Sequence, residues 1–223
     1  VLRFGRPRDW YLDDRRLAEA AGWCETFLDP ALATIERDRP TVLGQDFGRD
    51  GDLSVIWVLQ QEWDRATWRT ALYLEMRRIP YDVQAFVLFR IIDSLPMFRG
   101  AKIDARGNGQ GHAEAAVQRY GLAMIDGVRA TPDWYAAHFP RYRAAYEDRS
   151  ILVPDIEDIA TDHLSVVLRN GRPTMDDRRT RGADGEPRHG DAAVAGLNAW
   201  AAAEEQAAGP TEILRGPGRR GGP

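Results

Sequence analysis

Between Thr41 and Arg77 the sequence sets down three strand patterns in a row, and after Pro80 it changes to an alternation of helix and strand; no other feature narrows the possible folds so far. Thr41–Asp46 (TVLGQD) reads as a short buried strand, Phe47–Gly51 (FGRDG) as a turn, and Leu53–Gln60 (LSVIWVLQ) as a second strand with a continuous apolar run. In Trp68–Arg77 the side chains alternate, with Trp68, Thr70, Leu72, Leu74 and Met76 on one side and Arg69, Tyr73, Glu75 and Arg77 on the other. That pattern predicts a third strand with one solvated side, completing an antiparallel meander. Val83, Phe86, Val87 and Ile91 then fall at helical spacing, which predicts a helix over 81–95.

Beyond it, Ala101–Asp104 (AKID) is a short strand ending in an acid ahead of a Gly-rich turn, Gly107–Gly109. A helix over 110–120 and a strand at Leu122–Asp126 follow. Tyr135, Phe139, Tyr142 and Tyr146 form an aromatic stripe, interrupted or kinked at Pro140, whose helical spacing points to burial rather than base stacking. A short strand at Ile151–Val153, a helix over 155–168, a polar hairpin or loop at 170–188 and a last helix from His189-Gly190-Asp191 to Gln206 complete the pattern. Three meander strands followed by alternation imply an α/β, ribonuclease-H-like mixed sheet: an antiparallel meander plus parallel strands, with helices on both faces. Residues 41–207 are expected to carry this fold, 1–40 to be a polar lead-in with a helix around Leu12–Leu28, and 208–223 to be a flexible Arg/Gly/Pro-rich tail.

With 223 residues, 43% of them hydrophobic, the chain can bury a real core. No run reaches the roughly 18–20 apolar residues of a membrane span, and no signal peptide is expected. The single cysteine, Cys24, excludes an internal disulfide and a Cys-based zinc site and fits a reducing compartment, so a soluble intracellular protein is expected. A net charge of −4 and a pI of about 5.6 argue against a passive, charge-driven DNA coat. They leave room for an enzyme that meets nucleic acid through a local basic rim.

Three acids occupy special places. Asp46 ends the first meander strand, Asp104 ends the fourth strand before its Gly-rich turn, and Asp191 opens the final helix behind a glycine. In open α/β sheets the carboxyl ends of strands are where ligand groups converge. Carboxylates gathered there repel one another, and divalent metal resolves the conflict. Hard oxygen ligands select Mg²⁺ or Mn²⁺, and a two-ion site would suit phosphodiester hydrolysis. Each acid also has an ordinary explanation: a turn residue at Asp46, a helix cap at Asp191.

The segments G-Q-D-F-G-R-D-G-D-L-S-V-I (44–56), I-D-A-R-G-N-G (103–109) and R-H-G-D-A-A-V-A-G-L (188–197) resemble the nuclease domain of phage terminase large subunits, most nearly the Mu-like prophage branch. E-D-R-S-I-L-V-P-D (147–155) resembles that branch as well. The resemblance spans about 40–207 and implies a metal-dependent endonuclease that cuts concatemeric double-stranded viral DNA when packaging starts and when the head is full. It implies a protein of the host cytoplasm, transiently at the procapsid portal, with portal protein and small terminase subunit as partners of the full-length chain. The family's metal-binding acids map onto Asp46, Asp104 and Asp191, with Asp52 as a further, less regular ligand and Asp50 nearby. His189 would orient a ligand or contact phosphate, and Asn108 would hydrogen-bond in the Gly-rich turn or take a left-handed conformation there. Arg49, Arg106, Arg178, Arg179 and Arg181 are the candidate DNA contacts. The sequence departs from a whole terminase in lacking the G-x-x-x-x-G-K-[ST] phosphate loop of the ATPase motor, and the start at Val1 favours an excised C-terminal domain. Two other readings stand beside this one. An actin- or sugar-kinase-like phosphotransferase would explain D-F-G-R-D-G-D-L-S-V-I as a phosphate hairpin, and a catalytically silent docking domain would leave the acids without a task.

Overall fold

The computed structural model describes residues 1–7, 10, 13–48 and 53–208, with side chains as far as Gln206. Seven strands make one sheet in the order β1 (Leu2–Gly5), β4 (Trp68–Arg77), β3 (Leu53–Gln61), β2 (Thr41–Asp46), β5 (Phe98–Asp104) and β6 (Ile125–Val128), with β7 (Ile151–Leu152) beside the start of β4. The expected meander is present: β2–β3 and β3–β4 pair antiparallel, whereas β2–β5, β5–β6, β1–β4 and β4–β7 are parallel.

Both faces are covered. On one, α1 (Arg16–Trp23), a π-helical turn at Cys24–Leu28, α2 (Asp29–Leu32), α3 (Tyr81–Ser94) and α4 (Gly109–Tyr120) pack on Leu43, Ile56, Leu74 and Ile103. On the other, α5 (Pro132–Glu147), α6 (Glu157–Leu164) and α7 (Asp191–Ala208) cover Val42, Val55, Trp57 and Tyr73. Two hairpins lie between α6 and α7: β8 (Val166–Arg169) with β9 (Arg172–Met175), and β10 (Thr180–Arg181) with β11 (Pro187–Arg188). Asn170 and Gly171, both at positive φ, make the tight turn of the first hairpin. No helix among the described residues is long and apolar enough to cross a membrane.

Several expectations need correction. Residues 1–40 are no lead-in outside the core: β1 adds an edge strand, and Phe4, Trp10, Cys24, Leu28 and Ile35 are buried. The predicted helix around Leu12–Leu28 is α1 continued by the π-helical turn, with Leu12 outside the described residues. The supposedly solvated side of β4 is buried, because Tyr73, Glu75 and Arg77 lie beneath the second layer of helices, where ionic partners offset the burial of their polar groups. The alternation also breaks inside β4. Val58 pairs with Leu72 but Leu59 with Thr70, so the bulge at Ala71 turns Thr70 toward Trp57, whose Nε1 donates to its hydroxyl (2.8 Å).

Smaller shifts follow from local geometry. Gly121, at φ +84°, ends α4, and the chain turns before β6, leaving Leu122 81% exposed rather than in a strand. The aromatic stripe is core, with Tyr135, Phe139 and Tyr142 buried, and α5 runs on through Pro140. α6 stops at Leu164, because Val166–Arg169 pairs across the first hairpin instead of extending the helix to 168. α7 reaches Ala208, and the expected tail beyond it lies outside the described residues.

The composition of α7 explains how it sits. A Cβ at Gly44 on β2 would stand 2.1 Å from the Ala199 nitrogen and 2.2 Å from the Ala195 carbonyl oxygen, so helix and strand touch backbone to backbone. Asn198 Nδ2 donates to the Gln45 carbonyl oxygen (2.9 Å), pinning the same contact. Alanines let α7 approach that closely, and the approach brings its N-terminal acid toward the end of β2.

Candidate metal centre

The sequence places Asp46 and Asp104 at the ends of neighbouring parallel strands, and Gln45 pairs with Ile103 one residue before them. Both side chains project to the face covered by α7, since Gly44 and Lys102, two residues back, meet α7 there: Gly44 as described, Lys102 through Glu205 (2.6 Å). Asp191 begins α7 on the same face. Gly190, at φ +75°, turns the chain into the helix, and Asp191 Oδ2 accepts the His189 N–H (2.9 Å). The β2 end is held from outside, with Ser54 Oγ donating to the Asp46 carbonyl (3.0 Å) and Gln84 Nε2 to the Gly48 carbonyl (2.9 Å).

The electrostatics record the convergence. Burial pushes the Asp46 carboxyl well above the usual carboxylate range, and the charges of Asp191 and then Asp104 push it further. Asp191 is pushed up to about 6, chiefly by burial, against which the His189 N–H acts. Asp104 is raised by burial and partly relieved by Arg106, whose backbone N–H donates to Oδ1 (3.1 Å). Arg106 is steadied by the Ala130 carbonyl and the Tyr135 hydroxyl, both at 3.2 Å. Gly109 is required beneath this corner, since a Cβ there would stand 2.4 Å from the Asp104 carbonyl oxygen.

Among the described residues, no group of three His, Cys, Asp or Glu side chains stands where it could hold a metal ion. Asp46, Asp104 and Asp191 nevertheless converge on one sheet face, and carboxylate oxygens are the donors a hard divalent cation takes.

Other predicted site residues fare differently. Arg49, Asp50 and Asp52 lie outside the described residues. Asn108 is right-handed (φ −68°) and caps no helix with its side chain; the left-handed residue of that turn is Gly107, whose lack of a Cβ suits it. His189 is exposed, tied to the site through its backbone. Arg178 and Arg181 are exposed near the second hairpin, Arg178 paired with Asp176 (2.7 Å) and Arg181 donating to the Gly185 carbonyl (2.8 Å). Arg179 lies between them, and Thr180 pairs with Arg188, three residues before Asp191.

What sequence reasoning missed is a buried ionic cluster behind Asp191: Arg188, Asp162, Glu75 and Asp158, with Arg3 and Tyr73. The D-H-L ending of α6 offered no signal, although the R-H-G-D segment contained Arg188.

The carboxylate repulsion sets a pH dependence. Asp46 keeps its proton in the folded chain over a range where the unfolded chain has released it, so its contribution falls as pH rises from about 4. Buried His112, lowered to about 4, and His163 act oppositely, adding stability as pH rises toward 6.5, but they act alike in parent and variant. In EDTA, Asp46→Asn should therefore melt near the parental temperature at pH 4 and increasingly above it toward pH 8. A gap that does not widen with pH would show that Asp46 carries no such strain.

No protein-family profile matches the chain. It is 38% identical over 185 residues to the Mu-like prophage FluMu protein gp28 of Haemophilus influenzae, covering 83% of this chain and 36% of that protein. Over 198 residues it is 37% identical to the probable terminase large subunit gp28 of Escherichia phage Mu, covering 87% and 36%. The chain thus spans about a third of the length of the curated relatives it matches. Among solved structures, the large terminase nuclease of thermophilic phage G20c superposes with a TM-score of 0.55 at 16% identity, over 75% of this chain and 84% of that one. The same nuclease has been solved with bound magnesium (TM-score 0.55, 18% identity, 75% and 83% covered). The architecture is ribonuclease-H-like, with acids at its strand ends. Within that class, the chain belongs to the terminase large-subunit family, in its Mu-like branch.

Proposed function

We propose that this chain is a metal-dependent endodeoxyribonuclease that cuts concatemeric double-stranded DNA during viral packaging, with Asp46, Asp104 and Asp191 holding two Mg²⁺ or Mn²⁺ ions. The observation that carries this reading is the convergence of the three acids on one sheet face, near enough that the charges of Asp191 and Asp104 raise the pKa of Asp46. The magnesium bound by the G20c nuclease supports a divalent ion on the same fold. Held by Asp46, Asp104 and Asp191, divalent ions would supply an activated water and charge stabilisation at the leaving 3′ oxygen. The chain's own part is to hold the acids: β2 and β5 fix Asp46 and Asp104 side by side, the Arg106 N–H orients Asp104, and α7 brings in Asp191. Arg106 is 51% exposed and already anchored, which suits a phosphate contact beside the acids. Portal protein and small terminase subunit are proposed partners of the longer protein in the host cytoplasm.

The test is supercoiled plasmid with purified protein. Nicking and linearisation in Mn²⁺ or Mg²⁺, stopped by EDTA, are expected; no cutting in either ion at high protein concentration overturns the reading. DNA affinity tests the basic segment. Replacing Arg178, Arg179 and Arg181 together by Ala should weaken plasmid binding and lower the salt slope by up to about 0.9 per lost phosphate contact. An unchanged slope would remove this segment from the DNA interface.

A further inference from the structure

The geometry points to a positioning role for Arg188 and Asp162: we propose that this buried pair clamps the 188–192 arc and so sets where Asp191 presents its carboxylate. The inference rests on the metal-centre reading above and deepens it by naming residues that touch neither metal nor DNA.

Asp162 is wholly buried on α6, and both of its oxygens are engaged. Arg188 Nε donates to Oδ1 (3.1 Å) and Nη2 to Oδ2 (2.8 Å), a forked contact. Oδ2 also accepts the Ala192 N–H (2.9 Å). A single carboxylate therefore grips the chain on both sides of Asp191, three residues before it and one after. Inside the loop so closed, Gly190 supplies the left-handed turn and the His189 N–H meets Asp191 Oδ2.

The clamp is fastened to the sheet. Arg188 Nη2 reaches Glu75 Oε1 on β4 (2.8 Å), and Glu75 is itself fixed by the Tyr73 hydroxyl (2.9 Å) and by Arg3 (2.9 Å). Its Nη1 stands 3.8 Å from Asp158. Asp162 is thus spent on Arg188 and on the helix terminus, which separates its task from that of Asp46, Asp104 and Asp191. The first-turn N–H groups of a helix have no partner within the helix, so the bond from Ala192 is a specific anchor.

Charge and position make opposite forecasts, which allows them to be told apart. Arg188→Lys keeps the charge but loses the fork. Arg188→Gln removes a positive charge near Asp191, which by electrostatics alone would tighten cation binding. If Arg188 positions Asp191, calorimetric Mn²⁺ affinity drops about tenfold or more in both folded variants, as is usual when the support of a ligand is removed. Plasmid cutting should fall in parallel. Parental affinity in Arg188→Lys, or tighter binding in Arg188→Gln, overturns the clamp while leaving the metal centre intact. A parent that binds no Mn²⁺ overturns both readings together. Should neither variant fold, amide hydrogen exchange on the parent decides: protection at Ala192 supports the clamp, and exchange at the unprotected rate refutes it.

Discussion

Asp46→Asn, Asp104→Asn and Asp191→Asn should each reduce Mn²⁺-supported plasmid cutting by on the order of 10³-fold, the equivalent of several kcal/mol of lost transition-state stabilisation. Asn keeps the shape of each side chain but not its charge, and charge is what the convergence of these acids concentrates. The fold should survive, because among the described residues none of the three carboxylates closes an ion pair between distant elements: Asp104 pairs with Arg106 nearby, and Asp191 accepts the local His189 N–H. Circular dichroism and plasmid binding should therefore stay near parental values while cutting disappears. A variant that cuts at the parental rate would remove its residue from the site.

The second large effect comes from Gly44→Ala. In an ordinary strand this change would be mildly favourable, since glycine loses the most conformational freedom on folding. Here the new methyl would lie 2.1 Å and 2.2 Å from backbone atoms of α7, which cannot rotate away as a side chain could. Overpacking of this kind costs about 1–3 kcal/mol or more. At about 2–4 °C per kcal/mol for a chain of this size, the melting temperature should fall by roughly 5 °C or more. Cutting should fall with it, as α7 carries Asp191. Gly22→Ala is the control: nothing lies within 4 Å of its Cβ position in α1, so unchanged or slightly raised stability is expected. Equal melting temperatures for parent and Gly44→Ala would contradict the backbone contact.

The meander and the first parallel strand were legible in the sequence because their signals are local: apolar runs, alternation, and a turn after each acid. What stayed hidden depends on partners far along the chain. β1 is four residues long and is a strand only because β4, some seventy residues later, offers an edge to pair with. Glu75 and Arg77 look like solvent-facing residues until Arg188 and the second layer of helices are placed above them. The bulge at Ala71 inverts the facing of Trp68–Thr70 without any Gly or Pro to announce it. Asp162 had no local signal at all, since an acid in a polar helix is ordinarily solvated, and only the arrival of Arg188 and Ala192 makes it an anchor. The acids at strand ends were readable as positions; that Asp191 and Asp104 act on Asp46 required the fold.

The opening strand has a practical bearing on how the molecule can be dissected. Arg3 reaches across to Glu75 (2.9 Å) and Asp158 (2.7 Å), so the opening strand shares with Arg188 the neutralising of two buried carboxylates. Trimming to a boundary near residue 40, where strand signals first become obvious, would expose the outer margin of β4 and unbalance the interior charge behind Asp191. A truncation that keeps the amino-terminal strand should therefore melt above one that starts near residue 40, although that strand lies well upstream of the first residue a catalytic motif would recommend.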